Sequence, residues 1–500
     1  MWIANAARCQ EIDRQAKTSH GISSETLMQR AGEAVFHLMM GMLPARRRVA
    51  VVCGKGNNGG DGFVVAGLAK KRGLEVSCFV AACREDLSAD ASRECETAEA
   101  AGVVPVFFGE PGWLAGLAAV DVIVDALLGT GSVGAPSGAI LEAILGIEAT
   151  RVPVISVDVP SGIACDSGVA PGAYVHASRT VTFGLPKACF FQGDGLEACG
   201  EWSLAEIGFP RELLDEPTGI RLIDAAWVSE RLPKRVRNSH KGENGRVLIL
   251  AGSHRMRGAA VLSAHGALRS GAGLVTVAGL ESVCAAVSAS LPEATLLPLP
   301  ESEGVISPLA AELLLSQECD AAVFGPGMTA SEPVLALLRS VWSSWTAPSC
   351  LDADALNAVA AGVTLPESPC VLTPHPGEMG RLMGTDSVRV QGSRFAAARE
   401  AAAQFGKTVL LKGACTVVSE DGEDLLVNPT GNPGMAAPGM GDVLSGVVAT
   451  LLAQGLRPYE AAGCAAFWHG LAGDLCGPTG YSASDVAARL PEARAKITSA

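Results

Sequence analysis

Carboxylates beside glycine turns can move protons next to free backbone amides, and the chain offers several. In NPTGNPGMAAPGMGDVLSG, residues 428–446, glycines lead into an apolar run at helical spacing whose first turn contains Asp442. The amides of Gly439 to Gly441 can cradle a transferring phosphoryl group as its charge develops. Asp442 can take a proton from a substrate hydroxyl, the plainer alternative being a helix cap. Lys412, opening the run KGACT at 412–416, follows a strand-like segment and suits a diphosphate, with Thr416 assisting; a surface lysine is the alternative. In TPHPGE, residues 373–378, His375 suits a substrate contact and Glu378 a water-mediated magnesium ligand. They are too few and wrongly spaced for zinc, and turn stabilisation competes with both roles.

A second constellation lies upstream. GKGNNGGDG, residues 54–62, follows an apolar strand and opens a helix, so its glycines bring backbone amides close to an anion. The string lacks dinucleotide G-x-G-x-x-G spacing, and Asn57, Asn58 and Asp61 make it more informative than its glycines. Asp125 ends another strand and precedes LLGTGSVG at 127–134, while Asp158 and Ser161 follow the next strand in VDVPSG. Three strand ends thus direct Asn58, Asp125, Asp158 and Ser161 to one crevice. Such an oxygen set, with one or two carboxylates, suits a weakly held hard cation or a sugar hydroxyl.

The elements that must position these groups are short apolar strands alternating with helix-length segments, the signature of a mostly parallel sheet covered on both faces. Strands are expected around residues 48–54, 74–81, 120–130 and 152–161, after a helical segment from Gln10 to Leu43. The pattern dissolves between 213 and 238, and resumes around 245–252, 273–279, 321–327, 370–378 and 408–413. Both halves read as α/β, and their motifs do not repeat each other, which indicates fusion of unlike domains. The expected division is a domain at 1–215, a linker at 216–235 and a second domain at 236–500.

Composition excludes several classes. The 500 residues are 48% hydrophobic and 18% charged, enough to bury cores and incompatible with a disordered chain. A net charge of -14 and an aromatic content of 5% speak against nucleic acid as a partner. The 15 cysteines are scattered without a C-x-x-C pair, as in a reduced, cytoplasmic protein. Apolar stretches fall short of the roughly 20 residues a membrane span needs. The apolar fraction leads us to expect a homo-oligomer. His469, in FWHGLAGD, reads as a structural histidine on a packed helix.

Residues 8–210 resemble the NAD(P)H-hydrate epimerase family, often called YjeF N-terminal, through NNGGDG, DALLGTG, SVDVPSGI, DSG at 166–168 and TVTFGLPK at 180–187. The resemblance implies a Rossmann-like three-layer sandwich that interconverts the R and S forms of hydrated NADH and NADPH (NADHX and NADPHX) at ring carbon 6. It implies a potassium ion held by Asn58, Asp125 and Ser161. The hydrated nucleotide would be lined by Asn57, Asn58, Gly59, Gly60, Asp61, Gly129, Thr130, Gly131, Ser132, Val133, Gly134, Ala135 and Asp158. Within that family we assign Asp158 as the acid-base group. LMQRAG at 27–32 departs from the family, which usually carries an acidic residue followed by a small or polar one, and puts Gln29 and Arg30 near the pocket or a subunit contact.

Residues 240–497 resemble the ADP- or ATP-dependent NAD(P)H-hydrate dehydratase family, with its ribokinase-like α/β fold. The matching runs are KGENGRVLILAGS, MRGAAVLSAHGALRSGAGLVTVA, FGPGM, LDADALN, VLTPHPGEM, VLLKGACT and residues 428–446. The resemblance implies dehydration of the S hydrate at the expense of ADP or ATP with magnesium. Phosphorylation turns the poor hydroxide leaving group into phosphate, with Asp442 activating the carbon-6 hydroxyl. Lys412, Gly413, Ala414, Cys415, Thr416 and Gly441 would contact the adenine nucleotide, and Ala260, Gly327, His375 and Asp442 the hydrated one. Ala437-Pro438 replaces the usual Thr-Gly or Ser-Gly and removes an amide before the anion loop, so altered loop rigidity is expected. The competing readings are a ribokinase-like small-molecule kinase and a nucleotide-sensing protein.

Overall fold

The computed structural model describes residues 1–42 and 48–499. The chain divides into two compact units, Met1–Ile220 and Arg221–Ala500. Leu43 and Ala500, which end two of the expected segments, lie outside the described residues.

In the first unit the strands are β1 (Arg48–Cys53), β2 (Glu75–Val80), β3 (Pro105–Phe107), β4 (Val122–Ala126), β5 (Val154–Val157), β6 (Arg179–Phe183) and β7 (Glu201–Ala205). They form a parallel sheet in the order β3-β2-β1-β4-β5-β6-β7. Along β1, Val49, Val51 and Cys53 enter one buried cluster, and Ala50 and Val52 enter another. This alternation puts a core on each face of the sheet and makes the unit a three-layer sandwich. The order reverses between β1 and β4, so the ligand crevice of such a sheet opens beyond their carboxyl ends, where the glycine-rich turns lie.

The helices are α1 (Ala6–Thr18), α2 (Ser24–Met42), α3 (Asn57–Lys71), α4 (Ala89–Ala100) and α5 (Gly138–Glu148), with shorter helical turns elsewhere. The single helix expected from Gln10 onward is therefore two. Asn5 caps α1 by accepting from the Arg8 amide, and Gly21 at φ +67° in the Ser19–Ser23 connection breaks the run. β6 and β7, which carry the far side of the crevice, were not expected, because their alternation of polar and apolar residues is short.

The second unit contains β8 (Ile220–Leu222), β9 (Arg246–Leu250), β10 (Leu274–Gly279), β11 (Thr295–Pro298), the two-stranded β12 (Glu301–Ser302) and β13 (Val305–Ile306), then β14 (Ala321–Phe324), β15 (Ser349–Leu351), β16 (Cys370–Leu372), β17 (Thr408–Leu411), β18 (Val417–Ser419) and β19 (Leu425–Val427). Its large sheet runs β11-β10-β9-β14-β15-β16-β17-β18-β19-β8. Pairing is parallel from β11 to β17 and antiparallel through β18 and β19. The stretch 216–235, expected as a linker, carries β8 and the helix Ala225–Arg231, which Asp224 caps at 2.8 Å. Helix Met440–Ala453 is pinned to helix Arg257–Ser270 by Ser263 Oγ and Ser445 Oγ at 3.0 Å, which fixes where its first turn stands. No described helix is long and apolar enough to cross a membrane. All the cysteines are unpaired, and most are buried.

Candidate functional site

Gly54 leaves β1 with its amide donating to the Ala126 carbonyl of β4 at 2.9 Å. A Cβ there would stand 1.9 Å from the Leu127 carbonyl oxygen, so only glycine lets the two turns touch. That closeness gathers the first site. Asn58 Nδ2 donates to Leu128 O at 2.9 Å, and the Leu128 amide donates to Ser161 Oγ at 2.9 Å. Asp125, with no exposed surface, accepts from Ser156 Oγ (2.8 Å), Ser161 N (2.9 Å) and Ser161 Oγ (2.6 Å). Burial raises its pKa, and these hydrogen bonds pull it back only partly. Asn58, Asp125 and Ser161 thus converge on the Leu127–Leu128 turn.

Asp158 occupies the next strand end at φ +66°, a left-handed conformation that costs an aspartate energy. Its amide donates to Val181 O at 2.7 Å, and Oδ1 accepts from Thr182 Oγ1 at 2.9 Å. Lys187 Nζ stands 2.7 Å from the same oxygen and also donates to Phe183 O at 2.7 Å. Burial alone would lower the pKa of Lys187, but the Asp158 carboxylate outweighs it and raises it. Lys187 is a site residue that motif reading missed. It was visible as a lysine closing the apolar run TVTFGLPK, but only the β5-β6 pairing brings it to Asp158.

These groups face a cavity of ≈ 710 Å³ lined by Asn57, Asn58, Asp61, Gly129 to Ser132, Asp158 and Lys187. Gly59, Gly60, Val133, Gly134 and Ala135, expected in the lining, fall outside it: Gly59 and Gly60 are buried against Gly54 and Met28, and Val133 is almost fully exposed. Gln29 and Arg30 also stay out of the cavity wall: Gln29 Nε2 donates to Glu94 Oε2 at 2.6 Å and Arg30 Nη1 to Ile207 O at 3.1 Å. The departure at LMQRAG ties α2 to its neighbours, while Leu27, Met28 and Ala31 face the cavity.

In the second unit, Lys412 leaves β17 and reaches Asp352 Oδ1 at 2.6 Å and Glu378 Oε2 at 3.7 Å. Burial would lower its pKa, and Asp352, then Glu378, raise it instead. Asp352 also accepts from Thr373 Oγ1 at 2.9 Å, and the following Ala353 stands at φ +49°. Asp352 is a second residue missed from the motifs. It lay in LDADALN, at the end of a strand only three residues long.

Asp442 sits in the first turn of helix Met440–Ala453, behind Gly439 at φ +88°. Its pKa is pushed up to about 7 by burial, then by the charge of Asp352; Lys412 pulls it down and Glu378 pushes it up further. Pro438 supplies no amide, and the helix start still offers those of Met440, Gly441 and Asp442. A Cβ on Gly441 would stand 3.1 Å from Lys412 Nζ and 3.5 Å from Asp352 Oδ2. Gly441→Ala is therefore expected to displace the ammonium and raise the apparent KM for the adenine nucleotide about tenfold or more, read by steady-state kinetics.

His375 and Glu378 form a capping box on helix Pro376–Met383. His375 Nδ1 accepts from the Gly377 amide at 3.0 Å, and Glu378 Oε2 from the His375 amide at 2.8 Å. This leaves Nε2 of the half-exposed His375 to carry the proton of the neutral ring. The Gly413–Thr416 turn is held by Thr416 Oγ1 donating to Gly413 O at 3.0 Å, and by buried Arg394 donating to the Leu411 and Lys412 carbonyls at 3.2 Å each. Cys415 in that turn takes φ +52°. Gly327, at φ +64°, packs on Met256 and Ala259, beside the start of helix Arg257–Ser270. Ala260, next along that helix, is fully buried, so its methyl group presents no open surface. His469 is buried on helix Pro458–Asp474, with its pKa lowered to about 4 by burial and by Lys412.

Residues 247–492 match the NAD(P)H-hydrate dehydratase family, and residues 24–189 match the YjeF-related protein N-terminus family. A bifunctional NAD(P)H-hydrate repair enzyme from Moorella thermoacetica is 39% identical over 95% of this chain and 92% of its own. The chain belongs to the bifunctional NAD(P)H-hydrate repair enzyme family. A family member from Escherichia coli is 36% identical over 98% of this chain and 93% of its own. The second unit is similar to the ADP/ATP-dependent NAD(P)H-hydrate dehydratase of Bacillus subtilis, crystallised with ATP and Mg2+. That likeness has 34% identity and a TM-score of 0.50, and covers 55% of this chain and 97% of that one. A ribokinase-like protein from Enterococcus faecalis, 26% identical with a TM-score of 0.51, covers 56% of this chain and 98% of its own. Family resemblance over both units does not favour the kinase and sensor readings.

Proposed function

We propose that this repair enzyme epimerises the R and S hydrates of NADH and NADPH in its first unit and dehydrates the S hydrate in its second, using ADP or ATP. The observation carrying the reading is that each unit brings one carboxylate to a glycine-lined strand or helix end and gives it a fixed lysine environment: Asp158 with Lys187, and Asp442 beside Lys412.

In the second unit, Asp442 takes the proton of the carbon-6 hydroxyl as that oxygen attacks the terminal phosphorus of the adenine nucleotide. The oxygen–phosphorus bond forms and the bond to the nucleotide's bridging oxygen breaks. The amides at Met440 and Gly441 receive the developing negative charge, and Lys412 neutralises the phosphates. Phosphate then leaves carbon 6 with help from the ring nitrogen lone pair, and loss of a proton from carbon 5 restores the dihydropyridine. Magnesium would enter with the nucleotide phosphates, since no described group of three or more His, Cys, Asp or Glu side chains is arranged to hold a metal. Glu378, engaged by its capping box, would reach that ion only through water.

In the first unit, Lys187 and Thr182 hold Asp158 as the proton acceptor. The oxygen set at Asn58, Asp125 and Ser161 fits potassium. Asp125 is buried with neutral donors and no cationic partner among the described residues, and a monovalent ion would offset its charge without the tight octahedral shell magnesium demands. Replacing potassium by lithium is expected to slow epimerisation about tenfold or more, by loosening the turn that carries Gly129 to Ser132, and to leave dehydration of the pure S hydrate unchanged.

The test of the whole reading is incubation of the purified chain with an R/S mixture of hydrated NADH, ADP, magnesium and potassium, following reduced nicotinamide absorbance and both epimers by chromatography. Recovery beyond the initial S fraction, faster than spontaneous epimerisation, is expected. Loss of the S fraction alone would overturn the epimerase half. A lasting phosphorylated product without reduced nicotinamide would overturn the dehydratase half.

A further inference from the structure

Epimerisation at a hydroxyl-bearing carbon must serve both faces of the ring, and a single carboxylate fixed by hydrogen bonds serves one. Asp158 is so fixed, between Lys187 Nζ at 2.7 Å and Thr182 Oγ1 at 2.9 Å. The cavity contains a carboxyl of the opposite kind. Asp61, in the second turn of α3, lines the same cavity from the β1 side, and its carboxyl group makes no hydrogen bond or ion pair with another described residue. We propose that Asp61 is the second proton-transfer residue of the epimerase site, acting on the ring face opposite to that of Asp158. The assignment rests on the epimerase reading of the first unit.

The two carboxyls stand in different surroundings. Asp61 is half-buried and meets only like charge: Asp158 beyond β5, Asp13 on α1 and Glu94 on α4. Burial first, then these neighbours, hold its pKa well above the usual carboxylate range. Lys187 is committed to Asp158, and Lys17, on α1, acts on Asp13. Asp13 and Asp86 also border the cavity but are exposed, and Glu94 is taken by Gln29 at 2.6 Å, which leaves Asp61 as the shielded carboxyl that faces the substrate space besides Asp158. In the R-to-S direction, one carboxyl gives its proton to the carbon-6 hydroxyl, the carbon–oxygen bond breaks, and water departs as the ring nitrogen lone pair forms a carbon–nitrogen double bond. A water molecule then adds to the opposite face and loses its proton to the carboxylate there. One water leaves and one enters, and a proton relayed through solvent between the carboxyls resets the site.

The experiment uses the full chain and pure R hydrate without ADP, so that dehydration is silent. Asp61→Asn is expected to lower the epimerisation kcat by about 10²-fold or more with KM changed less than about threefold. Asp61→Glu should recover part of the loss. In ¹⁸O-labelled water the wild-type chain should incorporate label at carbon 6 at the rate of epimerisation. Thermal melting of the same variants reports folding of the first unit, and their dehydration of S hydrate reports that of the second. Retention of kcat in Asp61→Asn, a loss confined to KM, or retention of the original oxygen in the wild-type product would each overturn the proposal. A wild-type chain that epimerises no hydrate would instead overturn the proposed function of the unit.

Discussion

Asparagine at position 442 is expected to slow dehydration of the S hydrate by roughly 10³-fold, while epimerisation in the first unit stays at its wild-type rate. The amide keeps the size and the helix start but accepts no proton, so the loss falls on kcat. The pH profile makes the test specific. Asp442 acts only when ionised, and its pKa of about 7 means that kcat/KM should rise with pH, about tenfold per unit below 7, and level off above it. The cause is local: burial, then the charge of Asp352, resists ionisation, and Lys412 offsets only part of that. Asp442→Asn should lose the acidic limb together with its activity. A wild-type profile that is flat from about pH 5.5 to 8.5 would sink the assignment of Asp442 as the base.

The second large effect concerns Lys187. Its side chain is 2% exposed and lies 2.7 Å from Asp158 Oδ1, so Lys187→Met leaves a carboxylate in a low-dielectric pocket without its counter-charge. Breaking a buried pair from one side costs about 3–5 kcal/mol, which should appear as earlier denaturant unfolding of the first unit together with loss of epimerisation. The double variant Lys187→Met with Asp158→Asn removes both charges. It should recover much of the stability and none of the activity, and the non-additivity measures the pair. Lys412, in contact with two carboxylates and 18% exposed, should cost less when replaced, because solvent reaches it.

Most of the sheet was legible because a buried parallel strand declares itself locally, as β1 and β9 do in RVAVVC and RVLIL. Strands of three residues such as β15 and β16 carry too little pattern to be bounded, and the polar alternation of β7 hides it among turns. The stretch 216–235 read as a linker because β8 and its helix are short, and their burial comes from neighbours far along the chain. Asn58, Asp61, Asp125, Asp158 and Asp442 were legible as candidates in the sequence, since each stands beside a glycine turn at the end of an apolar run.

The sequence by itself determined the α/β class, the two unlike halves and the carboxylates at strand and helix ends, because those features follow from residue types within a few positions of one another. Only the tertiary structure decided which lysine meets which carboxylate. Lys187 joins Asp158 across β5 and β6, and Lys412 joins Asp352 from 60 residues away across β15, β16 and β17. The surroundings of each acid follow from strand order. Asp158 is held by a buried lysine and a hydroxyl, whereas burial and like charge raise the pKa of Asp61 and Asp442.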